Sequence, residues 1–142
     1  MADLVITPAD VQRSGTAGTF RAVEYGEAIN AGELVYQSST DQKYYKADAN
    51  DPTKPASTGQ LAVAVASAGV NQQGVVCRSN ATISLGAGVM TQGEIYVSSS
   101  NAIGKIAPAA DLVAGADLTI VGYAQTDALL EIQLQVTNVT KA

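Results

Sequence analysis

The most regular feature of the chain is an alternation near its middle. Leu61, Val63 and Val65 alternate with Ala62, Ala64 and Ala66, the period of a β-strand whose successive side chains point to opposite faces. An all-alanine face is neither a polar surface nor a good core filler, so it suits close approach of another sheet or another subunit. Ala62, Ala64 and Ala66 are therefore the expected subunit contact. Near the C-terminus, Leu130, Ile132, Leu134 and Val136 alternate with Glu131, Gln133 and Gln135. That pattern predicts a half-buried strand, one face on the core and one in water. Shorter strands are predicted at 23–25, 34–36, 43–46, 75–77, 82–85 and 118–124, separated by Gly, Ser, Asn and Pro turns. Gly122 inside the last of these predicts a bulge or a close backbone approach. Residues 108–112 predict a single helical turn, and no inter-strand stretch carries a helix long enough for a parallel crossover. About nine to eleven short strands of this kind predict an all-β barrel or sandwich.

The strand pattern occurs twice. Gly32-Glu33-Leu34-Val35-Tyr36-Gln37-Ser38-Ser39 is matched by Gly93-Glu94-Ile95-Tyr96-Val97-Ser98-Ser99-Ser100. Each copy runs Gly-Glu, three strand-forming residues and a polar turn. A lysine-bearing segment ending in alanine follows in both, through Lys43 to Ala47 and through Lys105 to Ala107. Each copy then passes a loop with Pro and Asp and enters another apolar run, at 61–66 and 118–124. The shared order of these features indicates a duplicated β unit.

Residues 1–22 differ from the rest. Leu4, Val5 and Ile6 form a brief apolar cluster, and Arg13-Ser14-Gly15-Thr16-Ala17-Gly18-Thr19 is polar and glycine-rich. This segment reads either as a flexible tail or as an extended arm that orders against a partner, with Leu4, Val5, Ile6 and Phe20 as anchors. The expected division is an arm over 1–22 and a β domain over 23–142.

Composition narrows the function. The 142 residues are enough for one core, and a net charge of −5 with eight scattered Lys and Arg argues against nucleic-acid binding. Cys77 is the only cysteine and there is no histidine. This rules out an internal disulfide and the His-based nucleophile pairs, and it leaves few routes to catalytic zinc. Glu33 and Glu94 could in principle form a carboxylate pair, but their equivalence in the repeat reads more simply as solvated charges at strand starts. Asp48-Ala49-Asn50-Asp51 lacks the spacing of a calcium loop. No metal, cofactor or catalytic residue is expected. No sequence resembling a signal peptide opens the chain and no run approaches a membrane span; a cytoplasmic protein, or one released by lysis, is expected. An interaction protein ranks first, ahead of a carbohydrate-binding module using Tyr36, Tyr44, Tyr45, Tyr96 and Tyr123. An enzyme ranks last.

The order Ala31-Gly32-Glu33-Leu34-Val35-Tyr36, Tyr44-Tyr45-Lys46-Ala47-Asp48-Ala49, Gly59-Gln60-Leu61-Ala62 resembles a small β protein of tailed-phage structural regions. So does its continuation through Gly93-Glu94-Ile95-Tyr96-Val97-Ser98, Gly104-Lys105-Ile106, Asp111-Leu112 and Ile120-Val121-Gly122-Tyr123-Ala124. The chain is similar over about residues 25–136 to capsid decoration (cement) and head-fibre proteins. The resemblance implies a virion structural protein on the capsid exterior, made in the bacterial host cytoplasm. It implies contact with the major capsid protein and with further copies of itself, as a trimer, and no nucleic-acid or membrane partner. It also implies that the arm lies along the shell or a neighbouring copy. A glycan-binding module of a head fibre or tail is the alternative.

Overall fold

The computed structural model describes residues 3–15, 18–48, 61–78, 80–100, 102–112 and 114–140. The expected proline-bearing loop at 50–55, and all of the Asp48-Ala49-Asn50-Asp51 cluster except Asp48, lie outside them. The described residues form eleven strands: β1 (Gln12–Ser14), β2 (Phe20–Glu24), β3 (Leu34–Gln37), β4 (Tyr44–Lys46), β5 (Leu61–Ala64), β6 (Gln73–Cys77), β7 (Thr82–Ser84), β8 (Ile95–Ser98), β9 (Ile106–Pro108), β10 (Asp117–Ala124) and β11 (Leu129–Thr140). Two single 3-10 turns, Pro8–Asp10 and Ala109–Asp111, complete them. The predicted helical turn is therefore present and tighter than an α-helix.

The strands make two antiparallel sheets, ordered β2-β6-β5-β3-β4 and β1-β7-β11-β10-β8-β9. Adding five to each strand number of the first sheet gives the second, with β1 as an extra edge. The duplication read from the shared order of these sequence features thus extends over ten strands. It reaches individual hydrogen bonds. Gly32 N–H donates to Ala64 O at 2.7 Å, and Gly93 N–H to Ala124 O at 2.8 Å. Ala64 N–H donates to Glu33 O at 2.9 Å, and Ala124 N–H to Glu94 O at 3.0 Å. Gly32 and Gly93 both hold positive φ, 93° and 85°, a conformation that costs glycine little because it has no Cβ.

Alternation sorts side chains into two cores. Leu34, Leu61, Val63 and Cys77 of the first sheet join Ile83, Val97, Val121, Leu130 and Ile132 of the second in the larger one. The opposite faces of the same strands, Val35, Ala62, Ala64 and Val76, pack with Tyr25, Ile29 and Tyr44 in a smaller one. That second core exists because the five-stranded sheet curls until its edges meet. Tyr25, just past β2, makes a parallel bridge with Tyr44 of β4, and Gly26 N–H donates to Tyr44 O at 2.9 Å.

The second unit is closed differently. Leu4 N–H donates to Ile106 O at 2.8 Å, while β1 pairs with β7 from Gln12↔Ser84 to Ser14↔Thr82. Residues 3–14 therefore span from one edge of this unit to the other. The expected division at residue 22 is corrected accordingly. β2 runs across it, Val11 is buried, and Leu4, Ile6 and Phe20 pack on the larger core. An apolar segment beside an open sheet edge gains both burial and backbone pairing by docking there.

Candidate interaction surface

The four anchors expected in the arm separate. Leu4, Ile6 and Phe20 are held by their own chain, and the Arg13 guanidinium lies 4.1 Å from the centre of the Phe20 ring. Val5 alone projects, at 87% exposure. Extended backbone dictates this split, since neighbours along a strand point opposite ways. The segment is fixed at its start by a hydrogen bond from Ser99 Oγ to Asp3 Oδ1. Beside Val5 runs an open groove of about 540 Å³ whose walls include Asp3, Asp10, Glu94 and Asp111, with Val89 and Ala87 between them. Among the described residues no lysine or arginine lines it. This face combines an exposed aliphatic side chain with acidic walls.

The alanine face is a correction. Ala62 and Ala64 are fully buried and Ala66 is half-buried. What fills the space that small side chains leave is Tyr25 and Tyr44 of the same chain. Tyr25 Oη donates to the carbonyl of Ala66 at 2.8 Å or of Val75 at 3.2 Å, and burial pushes its pKa up to about 12. Ala62 and Ala64 are thus covered within one molecule and cannot touch a second.

Among the tyrosines weighed for carbohydrate stacking, Tyr44 and Tyr96 are buried. Tyr36 and Tyr45 sit half-buried with ring centres 6.1 Å apart and planes inclined by 34°. Tyr45 Oη donates to Asp41 Oδ2 at 2.6 Å, a bond that raises the Tyr45 pKa and lowers that of Asp41. One side of the Tyr45 ring lies so close over Gly26 that a Cβ there would come within 2.2 Å of it. Tyr123, at 40% exposure, stands opposite Ile95 on the outer face of the six-stranded sheet.

The two repeat glutamates have diverged. Glu33 is 4% exposed rather than solvated, accepting from Asn30 N–H at 2.7 Å and lying 3.9 Å from Lys46 Nζ and 3.8 Å from Lys105 Nζ. Lys105 belongs to the second unit, so this cluster ties the units together. Alongside it, Leu34 N–H donates to Gly104 O at 2.9 Å and Gly104 N–H to Ala47 O at 2.7 Å. Glu94 is exposed and lines the groove. The turn N–H that Glu33 accepts in the first unit is accepted in the second by Tyr96 Oη, from Thr91 at 2.9 Å. The small cavity beside Glu33, about 100 Å³ and lined also by Leu4, Ile6 and Lys105, is well below the ~300 Å³ typical of small-molecule sites.

Cys77 is buried and burial pushes its thiol up to about 12, the environment of an inert structural cysteine. Among the described residues no cluster of three or more carboxylate, Cys or His side chains is arranged for a metal ion. No described helix is long and apolar enough to cross a membrane. No family model and no curated protein sequence matches the chain.

Proposed function

We propose that this protein is a virion structural protein that decorates and stabilises the outer surface of an assembled phage capsid, bridging capsomers as a homo-oligomer. The observation that carries the docking surface is Val5, held 87% exposed on an anchored segment beside an acidic groove. An ordered, projecting aliphatic residue costs little conformational entropy to bury on a partner. Fully burying a valine contributes about 1.5–3 kcal/mol. The acidic walls suit a shell surface carrying lysine and arginine, which would steer approach and fix orientation. A lattice of such contacts makes a modest single affinity strong, and binding only the assembled shell stabilises it by mass action.

Titration of the purified protein onto shells stripped of it tests the surface. Val5→Asp should weaken binding by about tenfold or more, with melting temperature unchanged because the side chain touches solvent. Unaltered binding by this variant would remove the surface. The carbohydrate reading of a head fibre or tail draws on the tilted Tyr36 and Tyr45 pair. It predicts that Tyr36→Ala abolishes retention on a host-glycan column while leaving shell binding intact.

A further inference from the structure

The repeat gives positions of one unit counterparts in the other, and one trio of counterparts is buried in the first unit and open in the second. Leu34 of β3 stands opposite Val63 of β5, which stands opposite Cys77 of β6. All three are fully buried in the larger core. The matching bonds of Ala64 and Ala124 carry this trio onto Ile95 of β8, Tyr123 of β10 and Glu131 of β11, which pair in the same order. Here the face looks outward, with Ile95 51% and Tyr123 40% exposed. Two amides fix the carboxylate beside them. Gln125 Nε2 donates to Glu131 Oε1 at 3.0 Å, and Gln133 Nε2 donates to Glu131 Oε2 at 3.3 Å and to Asn80 Oδ1 at 3.1 Å. The second unit's face is therefore more than an uncovered copy of the first's. Where the first has a valine and a thiol, it has an aromatic ring and an oriented carboxylate.

We infer that this face binds one ring of a neutral sugar, with the pyranose lying on Tyr123 and its hydroxyls bonded to Glu131. Size argues against a protein occupant, because two exposed apolar side chains fall far short of the roughly 20–30 residues that each side of a stable interface uses. The polar groups argue for a sugar. The C–H face of a pyranose is apolar and weakly positive, which complements the negative face of an aromatic ring. The hydroxyls at its edge are donors, and a carboxylate has acceptor sites beyond those used by two amides. Because Gln125 and Gln133 already orient those oxygens, little ordering cost remains at binding. Charge then selects among sugars: a carboxylate at the site, in a chain of net charge −5, disfavours acidic ones. The site lies on the other sheet from Tyr36 and Tyr45, and it does not depend on the capsid role.

The test is an NMR titration of the full chain with D-glucose, D-galactose, D-mannose and N-acetyl-D-glucosamine. One hexose on an open face should bind with a Kd of about 1–10 mM, so each sugar is taken to about 100 mM. At least one of the four should shift the Ile95 methyls, the Tyr123 ring and the side-chain amides of Gln125 and Gln133 together, and saturate. The rings of Tyr36 and Tyr45 should not move. Tyr123→Ala should weaken that binding at least about tenfold, with the melting temperature unchanged because the ring reaches solvent. Glu131→Gln, which keeps the shape and removes the charge, should also weaken it. N-acetylneuraminic acid, an acidic sugar, should leave all these signals in place. No shift with any of the four sugars, shifts at Tyr36 and Tyr45 alone, equal binding of the acidic sugar, or an affinity indifferent to Tyr123→Ala would each overturn the inference. Shifts of the same residues on raising the protein concentration without sugar would overturn it in favour of a second copy of the chain.

Discussion

Tyr25 and Gly74 meet so closely that a Cβ on the glycine would lie 2.0 Å from the Tyr25 ring. Gly74→Ala must therefore push the ring away from the carbonyls it bonds, and about 1–3 kcal/mol of stability should be lost in chemical denaturation. Ala64→Glu should act on the same core. It buries a carboxylate beneath the tyrosines and lowers the melting temperature, rather than the oligomeric mass that an exposed subunit contact would control. The duplicated glutamates give a paired test. Glu33→Ala orphans the Asn30 N–H and two lysines and should cost about 1–3 kcal/mol, while exposed Glu94→Ala should stay within about 0.5 kcal/mol. Alkali tests the buried tyrosine and thiol. Both hold their protons in the folded protein to about 12, against ordinary values of 10.0 and 9.0. Between those values the unfolded chain binds fewer protons, so stability should be complete below about pH 9 and fall as pH rises toward 12. A flat stability profile from pH 8 to 12 would contradict their burial.

At the scale of elements, residues 3–14 matter most, because they close the second unit while the first closes on itself. Removing residues 1–14 should speed amide exchange in β7 and β9 well before β3 and β5 are affected. Uniform acceleration throughout would mean that the units do not open separately. The strands themselves were largely legible in the sequence. The alternation at 61–66 and 130–136 marked β5 and β11, and Gly122 marked a register shift beside Ile120. What covered each face was not legible. Alternation states which side chains share a side but not which distant residues reach them, so the alanines looked available when Tyr25 and Tyr44 already filled that side. Leu4 and Ile6 likewise carried no signal of the β9 edge, because backbone pairing between distant segments leaves no periodicity. The burial of Glu33 depended on Lys105, on the other copy of the repeat.

The whole molecule is a duplicated five-strand unit joined through Glu33, Lys46, Lys105 and the Gly104 backbone. The repeat was readable from the shared order of its Gly-Glu strand, lysine segment, loop and second apolar run, and its ten-strand extent followed once pairing was known. Of the candidate surface, Val5 was named from its apolar neighbourhood alone. The acidic groove was hidden because Asp3, Asp10, Glu94 and Asp111 are scattered along the chain and gather only when the N-terminal segment docks. A projecting anchor on a docked segment suits repeated placement on a lattice, and abundance is the property that such a role requires. The copy number of this polypeptide relative to the major capsid protein in purified virions tests that role most directly. A ratio of one per capsid subunit, or a simple fraction of it, is expected. A few copies per particle, or none, would contradict it.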